Sequence, residues 1–267
     1  MNPCWNKIDA EGADRLLTDV PVVQVEFHTS LGSTNDRALQ LAQSTPEPFP
    51  QIVVAGEQTS GRGQRTNRWY SSTGSLTFSL ICNLQDFGLG TANLPQLSLA
   101  AALGVRAGIL ETQPQSRDCL QLKWPNDIFL NSQKLAGLLL EPVPLNSNLL
   151  VIGVGVNVND PMDSAPSEIK PLATSLLATT AERTDLVALL GAIARQMLDH
   201  FQQLAEDQST LLQHWSAHCF LTGRQVALEI GKQRIRGVCQ GIAHDGALVI
   251  KNEDGRQTFY AGRVQLT

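Results

Sequence analysis

Apolar residues along most of this chain switch between two spacings, period two and period 3.6; towards the end only period two remains. Val22, Val23, Val25 and Phe27 predict a first strand over residues 21–27. Ser33, with Asp36 three residues later, resembles a capping box, and Ala38, Leu39, Leu41 and Ala42 continue at helical spacing. Strand character returns over residues 51–55 and 75–81. A helix is predicted over 93–111, with Leu94, Leu97, Ala101, Val105 and Gly108 on its packed face. Its Ala100, Ala101, Ala102, Gly104 and Ala107 are small enough for close packing on a sheet. Over 120–124, Leu120, Leu122 and Trp124 share one face of a strand while Gln121 and Lys123 share the other. Pro125, Asn126 and Asp127 form a turn into a short strand, 128–130, and a second turn leads to a strand over 134–141. Another strand spans 150–159, and the prolines of 160–172 mark a loop. Thr184 is the expected N-cap of an amphipathic helix to residue 204, buried along Leu186, Leu189, Leu190, Ile193, Met197 and Phe201. A short helix over 210–218 carries Trp215.

From Leu221 onward the helical spacing disappears. Val226, Leu228 and Ile230 alternate, residues 234–238 form a strand, and tight turns fall at 231–232, 244–246 and 252–255. Four or five short strands in so few residues predict a small β-barrel, stable only when docked on a larger body. The expected organisation is an N-terminal extension (1–20), a large α/β unit (21–219) and the barrel (220–267).

Composition narrows the class. A content of 42% hydrophobic and 17% charged residues fits a soluble globular protein, and a net charge of -5 argues against broad binding to DNA or an anionic membrane. Five cysteines, an odd number without metal-type spacing, make a poor disulfide framework and point to a reducing cytoplasm. The N-terminal residues lack the pattern of a secretory signal, and no apolar run reaches membrane-spanning length. The five histidines do not cluster by spacing.

Against that acidic background, residues 57–69 stand out. Gly61 and Gly63 permit a tight turn whose backbone N–H groups can cradle an anion, and Arg62, Arg65 and Arg68 supply positive charge. No Gly-Lys-Ser/Thr follows, so this is not a nucleotide P-loop, and a strand rather than a helix leaves it, unlike a dinucleotide fingerprint. Lys123 and Lys134 flank one hairpin and can join the same anion site. Ser33, Thr34 and Asn35 either cap a helix or present hydroxyls and an amide to a ligand. Along 150–159, Ile152, Val154, Val156 and Val158 face one way; Gly153, Gly155, Asn157 and Asn159 face the other. A bare, then polar, strand face predicts that something flat lies against the sheet.

Gln58 with Gly61-Arg62-Gly63, then Lys123-Trp124-Pro125-Asn126-Asp127, Lys134-Leu135-Ala136-Gly137 and Gly153-Val154-Gly155-Val156-Asn157, in this order, resemble the catalytic domain of biotin–protein ligases. Asp245-Gly246-Ala247-Leu248 and Ala261-Gly262-Arg263-Val264 are similar to that family's C-terminal domain. The resemblance implies a mixed sheet flanked by helices, related to class II aminoacyl-tRNA synthetases, followed by an SH3-like barrel. It implies that biotin and ATP give biotinyl-5′-AMP and pyrophosphate, and that biotin then passes to a lysine of a biotin carboxyl carrier protein. Ser33, Thr34, Asn35 and Gln58 would hold the ureido ring, with Gly61, Gly153 and Gly155 beside the biotin. Arg62 and the backbone of Gly63 and Gln64 would meet the carboxylate and adenylate, and Lys134 the carboxylate and α-phosphate. Lys123, Arg65, Arg68, Trp69 and Asn126 would face ATP, with Asn157 near adenine or ribose. Arg62, Lys123 and Lys134 are the implied catalytic cations, which offset the repulsion between two anionic reactants. Mg²⁺ is implied with ATP, with Asp127 as candidate ligand or proton acceptor.

Some relatives are also repressors with an N-terminal DNA-binding module. About twenty residues precede the catalytic unit here, too few for a helix-turn-helix, so the expectation is a ligase, monomeric or homodimeric, without DNA or membrane partners. Gln64 stands where some relatives have arginine, and Thr66 where glycine is common. The alternatives are a lipoate or octanoyl ligase or transferase, and a non-catalytic biotin sensor.

Overall fold

A computed structural model of the chain describes residues 11–12, 16, 20–44, 48–163 and 165–267. The large unit holds a seven-stranded sheet made of β1 (Gln24–His28), β2 (Gln51–Ala55), β3 (Ser75–Asn83), β4 (Leu120–Lys123), β5 (Asp127–Leu130), β6 (Gln133–Val143) and β7 (Asn146–Asn157). Its order is β1-β2-β3-β7-β6-β5-β4, with β1 and β2 parallel and every other pair antiparallel. The helices are α1 (Thr34–Ser44), α2 (Leu94–Thr112), α3 (Leu176–Thr180), α4 (Leu186–Glu206) and α5 (Gln208–Ala217).

Alternation along the strands assigns the faces. Ile52, Val54, Leu76, Phe78, Leu80, Ile152, Val154 and Val156 share one core with α2, α4 and α5. Val53, Ile81 and Val151 face the other way and pack with Ala38, Leu41 and Ala42 of α1. Because α1 is short, it covers only part of that second face. The uncovered part is where the polar and glycine residues emerge.

Several boundaries move, each for a local reason. The long helix is capped by Asp185, whose carboxylate accepts from the N–H groups of Val187 (2.8 Å) and Ala188 (3.2 Å). Thr184 is instead held by Asn159, which accepts from its N–H at 3.0 Å and donates to its carbonyl at 2.8 Å. Asp207 similarly caps α5, ahead of the expected start at 210. The short helix α3 has no counterpart among the predicted elements. Two glycines of α2 serve close contact with α4. An added Cβ at Gly104 or Gly108 would stand 2.6 Å from the Cα of Met197 or Ile193. Of the N-terminal extension, Leu16 and Val20 are buried in the main core, so that end packs on the body at those positions.

Five antiparallel strands follow, β8 (Gln225–Ile230), β9 (Gln233–Ile242), β10 (Leu248–Asn252), β11 (Gly255–Phe259) and β12 (Arg263–Leu266), in the order β11-β10-β9-β8-β12. Val226, Leu228, Leu248, Ile250 and Val264 join the main apolar core, so this small unit is docked, as its size requires. A direct link runs from the indole N–H of Trp124 to the carbonyl of Gly246 at 3.1 Å. The link ties the β9–β10 turn to the turn between β4 and β5.

Candidate active site

The register of β3, β7 and β6 lays out three rows on the partly covered face. Ile81, Val151 and Glu141 form one, Ser79, Gly153 and Leu139 the next, and Thr77, Gly155 and Gly137 the third. Each glycine lies beneath one of the protein's own side chains. A Cβ would stand 2.1 Å from Asn35 Oδ1 at Gly153, 2.4 Å from Trp69 Cε2 at Gly155 and 3.0 Å from Lys134 Nζ at Gly137. The expectation of a flat ligand directly on this strand is therefore corrected: the flat group over Gly155 is the Trp69 indole. The glycines make room for side chains that in turn face the cavity.

At one end, helix α1 delivers hydroxyl and amide groups. Gln58 Oε1 accepts from the Thr34 N–H at 2.7 Å and from its hydroxyl at 3.2 Å. Ser79 Oγ lies 2.8 Å from Thr34 Oγ1 and 2.6 Å from Asn35 Oδ1, and its single hydrogen can serve only one of them at a time. Asn35 Nδ2 donates to the carbonyl of Leu139 (3.2 Å) and to Glu141 Oε2 (2.8 Å). Both partners are acceptors, so the amide orientation is fixed: Oδ1 lies over Gly153, within reach of Ser79 Oγ, and the residue borders the cavity. Ser33 lines the cavity, and its hydroxyl also accepts from the Asp36 N–H at 3.4 Å.

Residues 61–69 close as a hairpin rather than an open loop. Trp69 N–H donates to the Gly61 carbonyl at 2.9 Å, Gly63 N–H to that of Asn67 at 2.9 Å, and Asn67 N–H to that of Gln64 at 3.1 Å. Gly63 N–H is thus engaged within the hairpin, which corrects its expected role as an anion donor. Gly61 lies beneath the Trp69 backbone, where a Cβ would meet the carbonyl oxygen at 2.6 Å. Arg62 reaches back to Glu141, donating at 2.9 Å and 2.6 Å, and to Asp36 at 2.8 Å. These carboxylates, Glu141 foremost, hold the guanidinium pKa above its ordinary value.

The opposite end is cationic. Lys134 Nζ pairs with Asp127 Oδ1 at 2.6 Å and sits 5.9 Å from the Trp69 ring centre. Lys123 lies over the Phe129 ring at 4.9 Å. Burial lowers the Lys123 pKa from its ordinary value; Asp127 opposes that shift, while Lys134 and Arg263 add to it. Asn126 donates to the Leu138 carbonyl and accepts from the Leu138 N–H at 3.0 Å, so it braces the turn as well as lining the cavity.

Most of these groups border one cavity of about 1120 Å³, with Ser79, Asp36 and Glu141 standing behind its lining. Of the residues singled out from the sequence, Ser33, Thr34, Asn35, Gln58, Arg62, Gly63, Gln64, Arg65, Arg68, Trp69, Lys123, Asn126, Asp127, Lys134, Gly153 and Gly155 line it. Gly61 and Asn157 do not. Asn157 is buried and donates to the Thr174 carbonyl at 3.0 Å, so it ties β7 to the following loop rather than facing a nucleotide. Sequence reasoning missed Ser79, Glu141 and Asp36, and also Arg263 and Gln265 of β12, which form the far wall. Alternation offered one signal: Glu141 shares its strand face with Gly137, and a carboxylate there is out of character for an apolar strand.

Asp127, Glu168 and Glu229 also line the cavity, but among the described residues no three His, Cys, Asp or Glu side chains converge as a metal site. With Asp127 already paired to Lys134, these residues do not fit a metal ion ligated by the protein itself.

Two family models match the chain: the biotin/lipoate A/B protein ligase family over residues 28–159, and the biotin protein ligase C-terminal domain over 221–267. A biotin–[acetyl-CoA-carboxylase] ligase of Paracoccus denitrificans is 31% identical, across 87% of this chain and 96% of that protein. A bifunctional ligase/repressor BirA of Bacillus subtilis is 29% identical, across 94% of this chain and 76% of its own length. Among solved structures, the biotin protein ligase from Aquifex aeolicus in complex with biotin and ATP superposes with a TM-score of 0.79. It is 26% identical, and the match covers 91% of this chain and 99% of that one.

Proposed function

Since this chain belongs to the biotin protein ligase family, we propose that it activates biotin with ATP and transfers it to a lysine of a biotin carboxyl carrier protein. The observation that carries this reading is the polarity of the cavity. One end offers neutral hydroxyl and amide groups, and the other concentrates cations. Biotin has the same asymmetry, with a neutral ureido ring at one end and a carboxylate at the other that must meet a triphosphate.

In this reading residues 21–219 form the catalytic unit and 220–267 the barrel that walls the cavity. Asn35 Oδ1, Thr34, Ser33 and Gln58 take the ureido group; Gly153 gives Asn35 its place. The carboxylate oxygen attacks the α-phosphorus and displaces pyrophosphate. Lys123 and Lys134 offset the charge of the two reactants and of the transition state, whereas Arg62, engaged by Glu141 beside Asn35, stands at the amide end and not at the expected carboxylate end. Arg65, Arg68 and Trp69 border the nucleotide side. The acceptor lysine amine then attacks the mixed anhydride, AMP leaves, and Asp127 is the nearby carboxylate that accepts the amine proton. Mg²⁺ accompanies ATP through phosphate oxygens and water. An ATP-dependent reaction fits a cytoplasmic location, and no helix among the described residues is long and apolar enough to cross a membrane.

Biotin-dependent exchange of labelled pyrophosphate into ATP tests the first step. Exchange supported by lipoate and not by biotin would transfer the assignment to the lipoate branch. Biotin binding with no exchange would make the protein a sensor.

A further inference from the structure

Glu141 is the half-buried partner of two cavity residues at once. Its Oε1 accepts from Arg62 Nη1 at 2.9 Å, and its Oε2 accepts from Arg62 Nη2 at 2.6 Å and from Asn35 Nδ2 at 2.8 Å. Glu141 is absent from the cavity lining, whereas Arg62 and Asn35 both line it. One carboxylate therefore stands behind the amide end and the guanidinium, and its planar fork sets both. Bidentate pairing fixes the plane of the Arg62 guanidinium. Acceptance from Nδ2 fixes the orientation of the Asn35 amide, whose residue borders the cavity.

We propose that Glu141 is a positioning residue for biotin: it keeps Asn35 Oδ1 presented to the ureido N–H and holds Arg62 in register with it. The proposal rests on the ligase reading above. It assigns a task to a residue that touches no reacting atom, and it explains why an acidic side chain sits on an otherwise apolar strand facing the site.

The chain of contacts extends the effect. From Glu141 it runs through Asn35 to Ser79, then to Thr34 and Gln58. A donor in place of the Glu141 carboxylate would confront the N–H groups of Arg62 or Asn35. The amide of Asn35 would then turn, put Nδ2 where Oδ1 was, and meet a ureido N–H with another donor. Asp36 also holds Arg62, at 2.8 Å, but no contact links Asp36 to the Asn35 amide, so it cannot substitute for this function.

The experiment is pyrophosphate exchange with wild type, Glu141→Gln and Glu141→Asp, together with calorimetric biotin binding and melting temperatures. Glu141→Gln is expected to raise the KM and the Kd for biotin about tenfold or more, the scale of one charge-assisted hydrogen bond. The KM for ATP should stay within about threefold, which separates this effect from a general loss of the fold. Glu141→Asp, acceptor-only but shorter, should recover part of the biotin affinity. A wild-type KM and Kd for biotin in Glu141→Gln, with only the melting temperature reduced, would make Glu141 a clasp for the hairpin and overturn the proposal. Should Glu141→Gln fail to fold, Glu141→Asp carries the test: biotin binding weaker than wild type supports the role, and wild-type binding overturns it. Failure of the ligase reading is distinguishable, because wild type itself would then show no biotin-dependent exchange.

Discussion

The indole of Trp69 lies on Gly155 so closely that a Cβ there would stand 2.4 Å from ring atom Cε2. The contact joins the arginine hairpin to the centre of the sheet. It also brings the ring within 5.9 Å of Lys134 Nζ. A methyl group at 155 cannot coexist with the ring where it is. Gly155→Ala is therefore expected to push Trp69 and its hairpin off the sheet, at a cost of about 1–3 kcal/mol for overpacking. Adenylation should fall at least about tenfold. Tryptophan fluorescence and exchange kinetics would register both effects, and an unchanged spectrum with full activity would contradict the packing.

Lys134 pairs with Asp127 while its side chain remains 37% exposed. Exposed pairs contribute about 0–1 kcal/mol. Lys134→Ala should accordingly keep its melting temperature within a few degrees, since about 1 kcal/mol moves a chain of this size by about 2–4 °C. It should nevertheless lose most adenylation. Scanning calorimetry beside pyrophosphate exchange checks the split, and a normal exchange rate would remove Lys134 from the chemistry.

Lys123 gives the site a pH signature. Burial lowers its pKa in the folded protein, so it loses its proton at a lower pH than an ordinary lysine. The sign follows for stability too: the cost of burying its charge is fully present below the folded pKa and is relieved as pH rises towards the unfolded value. For activity the sign is opposite, because the ammonium is the working form. The alkaline limb of kcat/KM, which reports the free enzyme, is expected below the usual lysine range. In Lys123→Arg that limb should move to higher pH; a limb that stays in place would assign it to another group.

Retention of the adenylate should depend on Arg62 more than on Gln64. Gln64 is an uncharged side chain on the hairpin turn, and Gly63 N–H already donates to Asn67. Arg62 borders the cavity beside Asn35, where it can hold the biotin end of the adenylate. Removing Arg62 is expected to release biotinyl-AMP about ten- to a hundredfold faster, the scale of about 1.5–3 kcal/mol. Gln64→Ala should change release little. Release of labelled adenylate, with labelling of bystander proteins as a second readout, ranks the two; faster release from Gln64→Ala would reverse the order.

Periodicity in the sequence was enough to define the strands and the longer helices, though not α3, as well as the barrel-like end and the row of glycines on one strand face. Those properties follow from local rules: period two turns alternate side chains to one face, and turns need particular residues. The motif residues also foretold most of the cavity, because the strand ends and hairpins that carry them converge at one side of the sheet. What covers each glycine was beyond such rules. Gly155 meets Trp69, and Gly153 meets Asn35, only because separate segments fold back over β7. Asn157 belonged by alternation with those glycines, yet Thr174 lies within reach and takes its amide away from the cavity. Glu141 belonged by position to the end of an apolar strand, and only the β6–β7 register sets it opposite Val151, behind Arg62 and Asn35. Local sequence decides which way a side chain points, whereas its partner is decided by the packing of distant segments, whose contacts no local spacing encodes.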